Sequence, residues 1–159
     1  LLLIFLLDKK TIEEVNKVFI YLRKNLGIEL YKKIFQVILT DNGSEFLNPI
    51  VFERDLETGK KVSRVYYCDP WQKSFIENSH KRIRIVLPKG TSFNNLSLQQ
   101  VNYLRDNIAN LYKDKIKMTP YLKTEKVFPD LIKCLNIKYI EPNNIDLSKS
   151  SLKEVNHEE

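Results

Sequence analysis

The hydrophobic pattern changes period several times along the chain, and each change marks an element. Leu1-Leu2-Leu3-Ile4-Phe5-Leu6-Leu7 is an unbroken apolar run and predicts a buried strand. Ile12, Val15, Phe19, Leu22 and Leu26 then fall at helical spacing, behind a capping box of Thr11 and Glu14 and before a terminating Gly27. A short polar stretch leads to a second apolar run over 35–40, read as a strand, which opens into the turn Asp41-Asn42-Gly43. Pro49 and the residues to Phe52 predict a short helix or turn, and residues 55–60 a polar loop. The β-branched and aromatic residues from Val62 to Cys68 predict a third strand, stopped by Asp69-Pro70.

Residues 72–87 predict a helix with Ile76, His80, Ile83 and Leu87 as its inward stripe; Glu77, Lys81 and Arg84 share the neighbouring face. A second capping box, Ser97 and Gln100, starts a helix whose apolar positions are Leu98, Val101, Leu104, Ile108 and Leu111. Thr119-Pro120 predicts an N-cap with proline in the first turn. Leu131, Ile132, Leu135 and Ile137 are apolar enough to pack, whereas the stretch from Pro142 predicts a loose polar tail. Strands alternating with helices argue an α/β fold.

Composition narrows the partners. The 159 residues suffice for a domain with a real core, and 43% hydrophobic with 29% charged residues is globular. A net charge of +6 suits a polyanionic partner. Cys68 and Cys134 form no disulfide framework or metal spacing and read as reduced thiols. The first apolar run is too short to span a bilayer and has no basic region before it. The chain starts at Leu1 and its one methionine is Met118, so it reads as cut at its N-terminus.

Two stretches carry candidate chemistry. Asp41 follows a buried strand, where open α/β sheets build their sites; it is equally a common turn residue. Glu77 lies beside Lys81, Arg82, Arg84 and Lys89, which suits an acid working next to phosphates or an ordinary solvated face. Glu45, four residues past Asp41, is a water-mediated metal contact, or else a surface residue or local cap. His80 is a core residue or a base, and Trp71 a core or rim residue or a stacking platform for a flipped or unpaired base.

Three pieces in order resemble one family: Thr40-Asp41-Asn42-Gly43 with Glu45-Phe46, Trp71-Gln72-Lys73 with Glu77-Asn78, and Arg84 followed by Leu87-Pro88-Lys89-Gly90-Thr91. Together they resemble the catalytic core of bacterial insertion-sequence transposases of the DDE class, in particular the IS-thirty family. A glycine usually leads to the family's glutamate, where this chain has Ser74-Phe75-Ile76. The resemblance implies a ribonuclease-H-like fold: an N-terminally truncated mixed sheet with flanking helices and a helical C-terminal extension. It divides the chain into a core over 1–95, a helical part over 96–140 and a polar tail over 141–159.

The resemblance further implies a three-carboxylate site for Mg²⁺ or Mn²⁺, with Asp41 and Glu77 as catalytic metal ligands. Thirty-five residues lie between them. The family's first aspartate lies on a strand ahead of Leu1, and Asp8 stands at the wrong point in the order to replace it. The chain alone is therefore expected to be inactive. Lys81, Arg82, Arg84 and Lys89 are implied DNA contacts through phosphate; Asn78, His80 and Trp71 are accessory candidates. DNA, as element ends and target, is the implied partner, with a homo-oligomer and a bacterial cytoplasmic, nucleoid-associated location. Two rival readings are a non-catalytic DNA- or subunit-binding remnant and a ribonuclease-H-like nuclease.

Overall fold

The computed structural model describes residues 1–68 and 74–155; of Ser74, Phe75, Ile76, Glu77 and Glu154 it describes the backbone alone. The elements in order are α1 (Ile12–Ile34), β1 (Val37–Thr40), a 3₁₀ turn (Ser44–Phe46), α2 (Ile50–Glu53), β2 (Arg64–Tyr67), α3 (Ser74–Val86), α4 (Leu98–Asn110), α5 (Pro120–Val127), α6 (Pro129–Cys134), a 3₁₀ turn (Pro142–Asn144) and α7 (Ser151–Glu154). The fold is α/β and helix-rich. The chain divides into two compact units, one of Leu7–Ser74 and one of Leu1–Leu6 with Phe75–Glu159.

The first unit is built on β1 and β2, which pair in parallel with Val37 opposite Arg64 and Thr40 opposite Tyr67. Alternation buries Ile38 and Thr40 and exposes Val37 and Leu39. Ile38 packs with Val15 of α1 and Phe52 of α2, and Leu7, Phe19, Phe35, Phe46, Val51 and Val65 close the cluster. The Phe19 and Phe52 rings lie 4.4 Å apart. Thr11 caps α1 as its sequence predicts, accepting a hydrogen bond from the Glu14 N–H (3.4 Å). The other half of the box differs, because the Glu14 carboxylate takes the Lys17 ammonium.

Two expectations about the N-terminal stretch are corrected. Gly27 does not end the helical run; it kinks it, with φ 71° and ψ 160°, and Ile28 to Ile34 continue as helix where the sequence predicts a polar connection. Tyr31 explains this, since its buried side chain needs the second segment to reach the core. The run Leu1–Leu7 forms no strand. A strand exists only through a ladder partner, and the described sheet has two strands, β1 and β2. The expected mixed sheet is thus a two-stranded parallel one among the described residues.

In the second unit Val86, Leu104, Ile108 and Leu152 form the core, with Leu2, Ile4, Ile83, Leu87, Leu96, Tyr103 and Leu147 packed on it. The second capping box is complete: the Gln100 N–H donates to Ser97 Oγ (3.2 Å) and the Ser97 N–H to Gln100 Oε1 (2.9 Å). Thr119 caps α5 through the Leu122 N–H (3.1 Å). Leu131, Ile132, Leu135 and Ile137 are buried as their pattern predicts. Leu98 is not; it is 67% exposed, and α4 buries Gln100, Arg105, Asp106, Asn107 and Asn110 instead.

These polar side chains have partners far along the chain. Arg105 donates to the carbonyls of Leu135 (3.2 Å) and Asn136 (3.0 Å), and Asn110 to that of Lys138 (2.9 Å). Gln100 donates to the Leu152 carbonyl (2.6 Å), and Asn107 Oδ1 accepts from the Asp146 N–H (2.8 Å). The polar stretch expected to be loose is therefore docked at Asp146 and Leu152, with Ser151 and Leu152 buried.

Candidate functional site

Asp41 stands at the carboxyl end of β1, directly after Thr40. The Thr40 carbonyl is held by two donors of Cys68, its N–H (2.8 Å) and its thiol (3.2 Å). The strand end is therefore fixed, and the Asp41 residue that leaves it is exposed. The Gly43 N–H donates to Asp41 Oδ1 (3.3 Å), closing the turn that Asp-Asn-Gly predicts. The Phe46 N–H then donates to the Gly43 carbonyl (2.9 Å), and the Tyr67 hydroxyl to the Phe46 carbonyl (2.7 Å). The turn is thus tied to β2 as well as β1.

Glu45 is folded onto this turn. Its side chain is only 12% exposed, its Oε1 pairs with Lys10 Nζ at 3.3 Å, and its buried Oε2 has no hydrogen-bond partner. What Glu45 touches is both near and distant in the chain, Gly43 and the ammonium of Lys10, and it is neither a surface residue nor a helix cap. No sequence signal singles out Lys10, because nothing local links it to a residue 35 positions later.

The second candidate stretch lies on α3, in the other compact unit. The α3 backbone carries Glu77, whose side chain lies outside the described residues, as do Trp71 and Asp69 altogether. Asn78, Lys81, Arg84 and Lys89 are exposed. His80 is exposed too, which corrects its place on the inward stripe. Val86 takes the buried position, with Ile83 and Leu87 beside it. The predicted stripe thus reaches the core at Ile83 and Leu87, near the C-terminal end of α3, and fails one turn earlier at His80. Arg82 is partly buried, with its Nη1 atom lacking a partner. The Leu87-Pro88-Lys89-Gly90-Thr91 stretch closes α3 with a turn: the Thr91 N–H donates to the Pro88 carbonyl (3.1 Å), and Gly90 has φ 90°, which favours glycine.

The donor chemistry fits a hard divalent cation. Carboxylate oxygens are the ligands that Mg²⁺ takes, and Asp41 is exposed enough to meet an ion together with its waters. Among the described residues no three His, Cys, Asp or Glu side chains converge as a metal group. Among them also, no helix is long and apolar enough to cross a membrane.

The chain shares sequence with proteins named as an integrase and a transposase. One is integrase ORF3 of Spiroplasma virus SpV1-R8A2 B, 29% identical over 118 residues, covering 67% of this chain and 35% of that protein. Another is the transposase for insertion sequence element IS4351 of Bacteroides fragilis, 26% identical over 100 residues, covering 60% of this chain and 29% of that protein. The match spans about a third of the length of these curated relatives. No family model matches the chain, and no solved structure matches it.

Proposed function

We propose that the chain is part of a DNA transposase of the DDE class, related to the IS-thirty family, with a ribonuclease-H-like core. The observation that carries this reading is the position of Asp41, at the carboxyl end of a strand in a parallel pair and on a turn fixed from both strands. Carboxyl ends of parallel strands are where α/β sheets hold their ligands. The relatives named as integrase and transposase support the same reading, as does the ordered set of motifs that ends in Leu87-Pro88-Lys89-Gly90-Thr91.

In this proposal Asp41 and Glu77 hold Mg²⁺ or Mn²⁺. Bound in this way, the metal would supply stabilisation of charge on the attacking and leaving oxygens of a phosphodiester displacement. Lys81, Arg82, Arg84 and Lys89 neutralise DNA phosphates and position the strand without reading its sequence. Asn78 and His80, both exposed on α3, and Trp71 are accessory to the bound strand. The partners are element ends and target DNA, in a homo-oligomer at the nucleoid.

The test has a binding arm and a cleavage arm. DNA binding, followed by fluorescence anisotropy against salt, is expected to weaken in the triple variant Lys81→Glu, Arg84→Glu, Lys89→Glu. The salt slope should fall by about 0.9 for each phosphate that is no longer neutralised. For cleavage, the chain is fused behind a strand bearing an aspartate. Mg²⁺-dependent nicking is expected, and Asp41→Asn or Glu77→Gln should abolish it. Nicking at the parental rate by either variant would overturn the site, and an unchanged salt slope would overturn the basic face.

A further inference from the structure

Gly43 is not a glycine for the usual reason. Its φ of −61° and ψ of 142° are open to any residue. What a side chain at 43 would meet is Glu45: a Cβ built on Gly43 would lie 2.7 Å from Glu45 Oε2, 2.8 Å from Cδ and 2.9 Å from Oε1, so the carboxylate would have to move aside. The carboxylate occupies the space that a side chain at 43 would fill.

A carboxylate in such a place is costly unless something holds it, because burial of charge away from water is unfavourable. The Lys10 ammonium holds one oxygen at 3.3 Å. The other, Oε2, is buried without a hydrogen bond. The backbone on either side is fixed: Gly43 N–H to Asp41 Oδ1, and Phe46 N–H back to the Gly43 carbonyl. Glu45 is thereby wedged between Lys10 and the turn that carries Asp41.

We propose that Glu45 is a positioning residue for Asp41, acting through its seat on Gly43 and the contact of its Oε1 with the Lys10 ammonium; this rests on the reading of Asp41 as a metal ligand. Glu45 does not bind the metal. It fixes the turn, and the turn fixes the Asp41 carboxylate. Outer residues that orient a ligand in this way typically change metal affinity by about 10–100-fold when removed. Gly43→Ala is the complementary probe, since its methyl evicts the carboxylate while leaving Glu45 and Asp41 chemically unchanged.

The experiment measures Mn²⁺ binding to the purified chain by electron paramagnetic resonance, with circular dichroism to verify that each variant is folded. Asp41→Asn is expected to lose the site. Glu45→Ala and Gly43→Ala should each weaken binding about tenfold. The double variant should be no weaker than either single one, because both remove the same contact. Glu45→Gln keeps the shape and the acceptor for Lys10, and should bind close to the parent. If Glu45→Gln is as weak as Glu45→Ala, Glu45 is a ligand and the positioning role is overturned. Additive losses in the double variant also overturn it. If the parent and Asp41→Asn bind Mn²⁺ alike, or the parent binds none, the reading of Asp41 falls and this proposal with it. If Asp41→Asn alone loses binding and Glu45→Ala binds like the parent, this proposal falls by itself.

Discussion

Tyr31 has no exposed surface, and its hydroxyl donates to the Phe52 carbonyl at 3.2 Å. Burial pushes the phenol up to about 12, against the smaller opposing pull of the Arg23 guanidinium. In the unfolded chain the same phenol titrates near 10. A group whose folded value is raised contributes stability that is whole below the unfolded value and lost as pH climbs to the folded one. The loss here falls between about pH 10 and 12 and is on the order of 3 kcal/mol. Urea unfolding at stepped alkaline pH should show that decline in the parent and a shallower one in Tyr31→Phe. At neutral pH the variant should lose about 1 kcal/mol, since the Phe52 carbonyl keeps a second donor, the Ser63 hydroxyl at 2.7 Å. An identical alkaline decline in both proteins would refute the assignment. Residue-level roles of this kind are poorly legible in sequence. Tyr31 sits in a stretch that reads as polar, and Glu45 pairs with a lysine 35 positions earlier. Asp41 and its turn are legible because the Asp-Asn-Gly chemistry is local; the seat of Glu45 on Gly43 is not, because a glycine signals backbone freedom first.

Elements show the same division between local and distant causes. Thr11, Ser97 and Thr119 all start helices as their sequence predicts, since a cap needs only its own first turn. The inward faces are less legible. The apolar stripe of α4 fails at Leu98 and is completed by polar residues whose partners lie between Leu135 and Leu152. Arg105 and Asp106 lie side by side in this face, 2.8 Å apart, and burial raises the Asp106 carboxyl against the pull of Arg105. No periodicity scale rewards such residues for being inside. The kink in α1 is a further case, and a testable one. Gly27 has φ 71° and ψ 160°, a region that is essentially glycine's alone. No atom lies within 4 Å of a Cβ placed there, so space does not forbid alanine. The backbone does: Gly27→Ala should cost about 1–3 kcal/mol. Equilibrium urea unfolding should show a lower midpoint with an unchanged slope. A variant as stable as the parent would mean that the two halves of α1 run on as a continuous helix.

At the scale of the molecule, each compact unit has a core of its own. Val15, Ile38 and Phe52 hold one, and Val86, Leu104, Ile108 and Leu152 the other. Leu152 reaches its core from α7, a four-residue helix that could not persist without tertiary packing. Its backbone carbonyl accepts from Gln100, and Leu147, just ahead of α7, packs on the same cluster. Hydrophobic burial and a polar clamp from α4 thus act on one short segment, and this is why a stretch of weak pattern is ordered. Leu152→Ala removes the apolar part and leaves the clamp. It should destabilise its unit by about 2–5 kcal/mol, the usual cost of truncating a buried leucine. Amide hydrogen exchange locates the effect. Faster exchange is expected in α4, whose Leu104 and Ile108 share the cluster with Leu152, and at Val86 of α3, which belongs to it too. The amides of α1 around Val15 and Leu22, buried in the other unit, should keep the parental rates. Equal acceleration in α1 and α4 would mean that the two cores open as one cooperative unit. Acceleration confined to α4 and Val86 would place the α3 end within the element that α7 supports, so that a segment without a motif holds the helix whose backbone carries Glu77.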